Sequence, residues 1–247
     1  MLKTIFQKFQ KKQGCVVIAG HDIELLDQNF VILDKNEQSP LHVYQAVHDS
    51  SVQNIQVNRV NDGITSVRLN LVNTEHLKSL LKYIASHSHS IELCVFQPNF
   101  SSAPNIEALS LEEIEHSWQT TGLSAVSVSQ AVIKPMLKQQ RGTVIFLGAP
   151  SNNSAHYDVL SQSMFASIRA LSQSLAREFQ PKGIHVTYCM LEKWDGKTST
   201  LFHLLNKSVS TSINNLTLHG VKSLACLEIL LSSVLKIEYC FGMTTEQ

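Results

Sequence analysis

The segment from Gly142 to Val186 constrains the fold of this chain more than any other. Thr143 to Leu147 is a short apolar run that ends at Gly148, and a polar break from Pro150 to Ser154 follows it. Leu160, Met164, Ile168, Leu171, Leu175 and Phe179 then recur at steps of three and four, the spacing of one helix face. Pro181 and Gly183 end that helix, and Ile184 to Met190 reads as a second buried strand. Two apolar strands joined by an amphipathic helix form a parallel pair, because the connection has to run back along the sheet before the second strand begins. The segment therefore predicts an open α/β sheet.

Composition narrows what such a sheet can serve. The 247 residues suit a single domain spanning 1–247, and 43% hydrophobic content is enough for a buried core. Twenty basic residues balance twenty acidic ones with no basic stripe, which argues against nucleic acid as a partner. No apolar run approaches the roughly 18–20 residues of a membrane span, and no secretory signal with an apolar core is visible. The five cysteines, at 15, 94, 189, 226 and 240, show no CxxC spacing. Cys15, Cys94 and Cys189 lie in apolar runs and read as buried thiols, the pattern of a reducing cytoplasm. Glycine is scarce, 10 in 247, about 4% against the usual ~7%. No metal site is expected: His87-Ser88-His89 reads as a solvated loop without further ligands, and His21-Asp22 as a turn.

Along the chain, residues 1–12 read as a short helix with Leu2, Ile5, Phe6 and Phe9 on one face, packed on the domain edge or touching a membrane surface. Cys15 to Ala19 and Phe30 to Leu33 read as strands, and Ser39-Pro40 as the start of a helix running to about Asp49. Asn61-Asp62-Gly63 predicts a hairpin turn between Ile55–Val60 and Ile64–Leu71. Asn73 caps a helix that buries Leu77, Leu80, Leu81 and Ile84, and Ile91 to Phe96 is the next strand. A long helix from about Leu111 to Gln139 carries Ile114, Trp118, Gly122, Ala125, Val132 and Met136 on one face, with Pro135 kinking it or marking its last turn. Lys193 to Leu218 reads as a loop with a short helix, Val221 to Leu235 as an apolar helix and Tyr239 to Thr244 as a last strand.

Several phrases resemble the short-chain dehydrogenase/reductase family. SWQTTGLSAVSVSQAVIKPML is similar to that family's long central helix, late proline included, and RGTVIFLG to its fifth strand. ALSQSLAREFQPKGIHV resembles its sixth helix with the following turn and strand, and VKSLACLEILLSS with CFGM resembles its last helix and strand. The resemblance spans roughly Val67 to Met243 and implies a doubly wound parallel sheet flanked by helices on both faces, irregular on its N-terminal side. It also implies a working set of Asn, Ser, Tyr and Lys. Counted back from Ala176-Arg177-Glu178, the Lys position is Phe165 and the Tyr position Ser161; the Ser position is Ala149 and the Asn position Thr121. Phe165 has neither charge nor hydrogen-bonding capacity, Ala149 has no hydroxyl, and Ser161 has no matched cation to tune it. Tyr157 is the candidate rescue, but it lies one helical turn early, about 6 Å along the axis.

The cofactor half is equally bare. Gly20 is followed by no glycine until Gly63, so the family's glycine-rich phosphate turn is missing. Only nine residues separate Gly20 from Phe30, too few for a crossover helix; if Phe30–Leu33 is instead the first strand, its turn carries Asp34 and Glu37. Gln97-Pro98-Asn99 stands where the family has Asn-Ala-Gly, and Leu191-Glu192 where it has Pro-Gly. The expectation is a catalytically inactive relative without cofactor or metal. It would act as a homodimer, or as a heteromer with an active relative, through helices 111–139 and 155–179. The alternatives are an NAD(P)-dependent oxidoreductase with a non-standard site, and a small-ligand sensor that uses the old substrate cleft.

Overall fold

Nine strands join in one sheet. They are β1 (Gln13–Gly20), β2 (Ile32–Leu33), β3 (Pro40–His48), β4 (Gln56–Arg59), β5 (Ile64–Leu69), β6 (His89–Gln97), β7 (Gly142–Gly148), β8 (Ile184–Leu191) and β9 (Leu235–Glu238). The helices are α1 (Thr74–Ser86), α2 (Leu111–Ser117), α3 (Ser124–Gln139) and α4 (Val159–Phe179), with a π-helical turn, Trp118–Leu123, joining α2 to α3. The computed structural model describes residues 13–21, 32–33, 40–99, 106–148, 159–191 and 235–238. The expected elements at 1–12, Lys193–Leu218 and Tyr239–Thr244 lie outside this range, as does the 221–235 helix apart from Leu235, which opens β9.

The sheet order is β4-β5-β3-β1-β6-β7-β8-β9, with β2 paired to β3. β5, β3, β1, β6, β7 and β8 are mutually parallel, whereas β4 on β5 and β9 on β8 are antiparallel edges. Counting the parallel strands alone gives 3-2-1-4-5-6, the order of the dinucleotide-binding α/β fold. The expected parallel unit is present: Gly142–Gly148 pairs with Ile184–Met190 in register across α4.

One expectation is overturned. Ser39-Pro40 does not start a helix, because Pro40–His48 is strand β3 between β1 and β5. Proline is admissible as the first residue of a strand, which is the use made of it here. Val43, Tyr44, Gln45 and Ala46 are all buried, so the strand is covered on both faces and its sequence carries no alternation to reveal it. The β1-to-β3 connection therefore runs from Gly20 to Pro40 rather than to Phe30, long enough for a crossover. Residues 49–63 then enter β5 through the antiparallel edge strand β4. The expected hairpin turn is made there, the Asn61 carboxamide accepting the Gly63 N–H at 2.8 Å.

The helices α1, α3 and α4 share one buried cluster on a single face of the sheet, built on Val17, Tyr44, Leu80, Val132, Phe146 and Ile168. Each such side chain contributes about 1.5–3 kcal/mol by leaving water. Asn73 caps α1 as expected, accepting from Glu75 N–H and His76 N–H. α4 is turned slightly from the expected face: Leu160 and Ile168 of that face are buried, together with Ser161, Phe165, Ser172 and Ala176, while Leu171 and Leu175 flank them, half-buried. Small residues in the centre let the helix axis come close to β7 and β8. Pro135 sits within the last turns of α3; the irregularity of the long helix is the π turn further up.

The stop after α4 rests on Gly183, whose φ of 79° lies in the left-handed region. A Cβ there would also collide with the Gln140 carbonyl. Gly183→Ala is expected to cost about 1–3 kcal/mol, read as a lowered urea midpoint with an unchanged slope; an unchanged midpoint would contradict this packing.

Candidate functional site

In an open α/β sheet, ligands sit beyond the carboxyl ends of the strands where the winding reverses. Here that point lies between β1 and its two parallel neighbours, β3 and β6. β1 ends at Gly20, and the next side chain is His21. Its ring stacks on His48 from the end of β3, with centroids 5.5 Å apart, and stands edge-on to His116 of α2 at 6.5 Å. His48 Nδ1 accepts the Leu71 backbone N–H at 3.1 Å, so its neutral form carries hydrogen on Nε2. Burial holds the His48 pKa below the usual imidazole value, the His21 neighbour adds to this, and Asp49 opposes it.

Asp49 follows β3 directly. Its Oδ1 accepts from the Ser51 backbone N–H (2.9 Å) and hydroxyl (2.6 Å), and Arg68 stands 4.0 Å from Oδ2. The Ser51 hydrogen bonds hold this carboxyl below the ordinary range. The end of the second parallel strand is where dinucleotide-binding folds place an acid for the ribose hydroxyl. The sequence reading missed Asp49 because it took 40–49 as a helix.

Among the expected catalytic positions, Thr121 lies in the π turn, 1% exposed, and its Oγ1 has no hydrogen-bond partner among the described residues. Such turns inside helices are frequent at functional sites. Ser161 and Phe165 lie on the α4 row that faces the sheet, 5% and 3% exposed. Ala149 and Tyr157 lie outside the described residues. Beneath this region, a Cβ on Gly148 would collide with the Tyr188 phenol, so that ring lies across the end of β7. No signal in the sequence singled out Tyr188.

The His87–His89 segment is not simply a solvated loop. His89 begins β6, half-buried, and its Nδ1 meets the Tyr44 hydroxyl at 2.7 Å. His42 lies beside it, centroids 5.0 Å apart, and its Nε2 meets Thr65 Oγ1 at 2.9 Å. Burial, then His89, pushes the His42 pKa down to about 4. This cluster occupies the amino edge of the sheet, opposite the crevice. Among the described residues no group of three or more His, Cys, Asp or Glu is arranged to hold a metal ion. Cys15 and Cys94 are buried free thiols as expected, and burial pushes Cys94 up to about 12. The gap between α1, α3 and the sheet, about 10 Å³ and lined by residues such as Ala19, Ala46, Leu80 and Ala131, is too small and apolar to hold a ligand.

The family model for short chain dehydrogenases matches residues 30–198. The chain belongs to the short-chain dehydrogenase/reductase family. No curated protein matches it in a sequence search. Solved structures share its fold: a mutant short-chain dehydrogenase/reductase from Serratia marcescens (13% identity, TM-score 0.52, 71% of this chain and 75% of that one). Sorbitol-6-phosphate 2-dehydrogenase SrlD from Erwinia amylovora is similar at 17% identity and TM-score 0.54, covering 69% and 70%. ElxO with NADP bound is similar at 16% and 0.53, covering 72% of each chain.

The residues at the crevice do not fit a nicotinamide dinucleotide as they stand. The His21–His48 ring pair stands at the end of β1, where a phosphate turn needs bare backbone, and at the end of β3, next to Asp49. Leu71 N–H is already taken by His48, and one Asp49 oxygen by Ser51. Phe165, expected at the family's lysine position, is buried.

The orphaned Thr121 hydroxyl gives a direct check. Val keeps its shape and removes the unpaired group, so Thr121→Val is expected to raise stability by about 1 kcal/mol, read from denaturant midpoints. A loss of similar size would mean that the hydroxyl holds a partner.

Proposed function

We propose that this protein is a catalytically inactive short-chain dehydrogenase/reductase that acts by association, as a homodimer or with an active relative. The observation that carries the first half is Phe165, 3% exposed on the sheet-facing row of α4. An ammonium there would be buried without a partner, and a proton-transfer site needs that cation to tune its acid. Thr121 and Ser161 keep hydroxyls, yet neither has a base or cation matched to it in the family's pattern. With the crevice ends taken up by imidazoles, the protein works without a nicotinamide cofactor.

Exposed apolar residues support association. Leu111 (84% exposed), Ile114 (38%) and Trp118 (43%) form a stripe along α2 into the π turn, and Val159 (58%) opens α4. Ile106 (64%) lies nearby in sequence. Among the described residues, only Val57 on the edge strand is a large exposed hydrophobic elsewhere. Clusters of this kind mark interaction surfaces more often than bare solvent faces. No helix among the described residues is long and apolar enough to cross a membrane, and the buried free thiols suit a reducing cytoplasm.

Asp49 favours a second reading, an NAD(P)-dependent oxidoreductase with a non-standard site, since its place suits a ribose hydroxyl. That reading requires the His21–His48 pair to move aside. A small-ligand sensor has no residue of its own among those described.

Light scattering on the order of tens of micromolar tests the association. The expected mass is twice the 27.5 kDa of one chain, and Trp118→Glu is expected to return it to one. A monomeric wild-type protein that also captures no relative would overturn the proposal.

A further inference from the structure

Two consecutive backbone amides at the crevice end of β5 are each held by an imidazole. Asn70 N–H donates to His76 Nδ1 at 3.1 Å, and Leu71 N–H donates to His48 Nδ1 at 3.1 Å. The two rings come from opposite sides in sequence, His48 from the end of β3 and His76 from the first turn of α1. His76 completes the arrangement by donating from Nε2 to the Gln53 carbonyl at 3.0 Å, which ties in the β3–β4 connection. Both rings are therefore neutral and protonated on Nε2.

A backbone N–H cannot reverse its role. When Nδ1 takes a proton it becomes a donor facing a donor, and the contact changes from attractive to repulsive. This separates the pair from the Tyr44–His89 contact, where the hydroxyl can turn and accept. We propose that His48 works as a proton-operated clasp beside the fixed His76 contact: neutral, His48 holds the β5–α1 turn against β3, and protonated, it releases it. Release would loosen the carboxyl ends of β3 and β5, the edge of the family's ligand crevice, while β7 and β8 stay paired.

The surroundings set the direction. His48 faces His21, just beyond β1, and His116 on α2, which oppose its protonation, and is adjacent to Asp49, which favours it. Asp49 is itself occupied by Ser51 and lies near Arg68 of β5. Near His76 on α1, Glu75 pairs with Lys78 at 2.7 Å, so neither charge stands alone. His48 is held below its free value, chiefly by burial. The unfolded or opened chain then binds more protons than the closed one, so closure is complete above the free imidazole value of about 6.5 and weakens as pH falls below it.

Hydrogen exchange read by mass spectrometry at about pH 7.5 and pH 5.5, corrected for intrinsic rates, tests the clasp. Amides 68–73 are expected to lose about tenfold in protection at the lower pH relative to 142–148. Equal loss across the sheet, or none, would overturn the proposal. The double variant His48→Asn, His76→Asn supplies a carboxamide oxygen where each Nδ1 stood and does not titrate. It is expected to keep protection at both pH values, and a retained acid response would sink the idea. If that variant does not fold, nitrogen NMR of the wild-type imidazoles decides. Nδ1 of His48 must be unprotonated at the higher pH and gain its proton as 68–73 open; a protonated Nδ1 at the higher pH contradicts the clasp.

Discussion

The parallel pairing of β1 with β3 on one side and β6 on the other fixes everything at the carboxyl edge of this sheet. Cys15 to Ala19 are fully buried, so each of their backbone groups must be met within the ladder. The winding reverses at β1, which leaves a crevice beyond Gly20 whatever side chains follow. Family members use such a crevice for a dinucleotide, and they need small residues there so that backbone can approach phosphate. This chain places His21 against His48 instead.

The same separation of scaffold from chemistry holds across α4. Its contact with β7 and β8 depends on a row that includes Ser161, Ser172 and Ala176, which are small enough for close approach. Phe165 lies on that row and is buried, so its ring does not stand in open solvent. A buried ring at this position helps the packing that the helix requires. A lysine would need water or a counter-charge in the same place.

How much of this was legible in sequence follows from periodicity. The strand–helix–strand unit at 142–190, the Asn73 cap and the hairpin at Asn61–Gly63 each carry a local signal, and each forms where that signal points. β3 was misread because burial on both faces erases the alternation that identifies a strand, and Ser39-Pro40 then mimics a helix start. Asp49 was lost with it. The histidine contacts were not legible at all, since His48, His76, His42 and His89 meet their partners across separations of 6 to 45 residues. The expectation that Thr121, Ser161 and Phe165 stand at the family's catalytic positions came from the resemblance alone; their burial came from the fold.

Titration calorimetry with NADPH and NADH, at up to about millimolar ligand and neutral pH, tests the account where it is most exposed. Imidazoles at the ends of β1 and β3, together with a buried Phe165, predict no saturable heat for either nucleotide. One-site saturable binding per chain would contradict the account and return Asp49 to a cofactor's ribose.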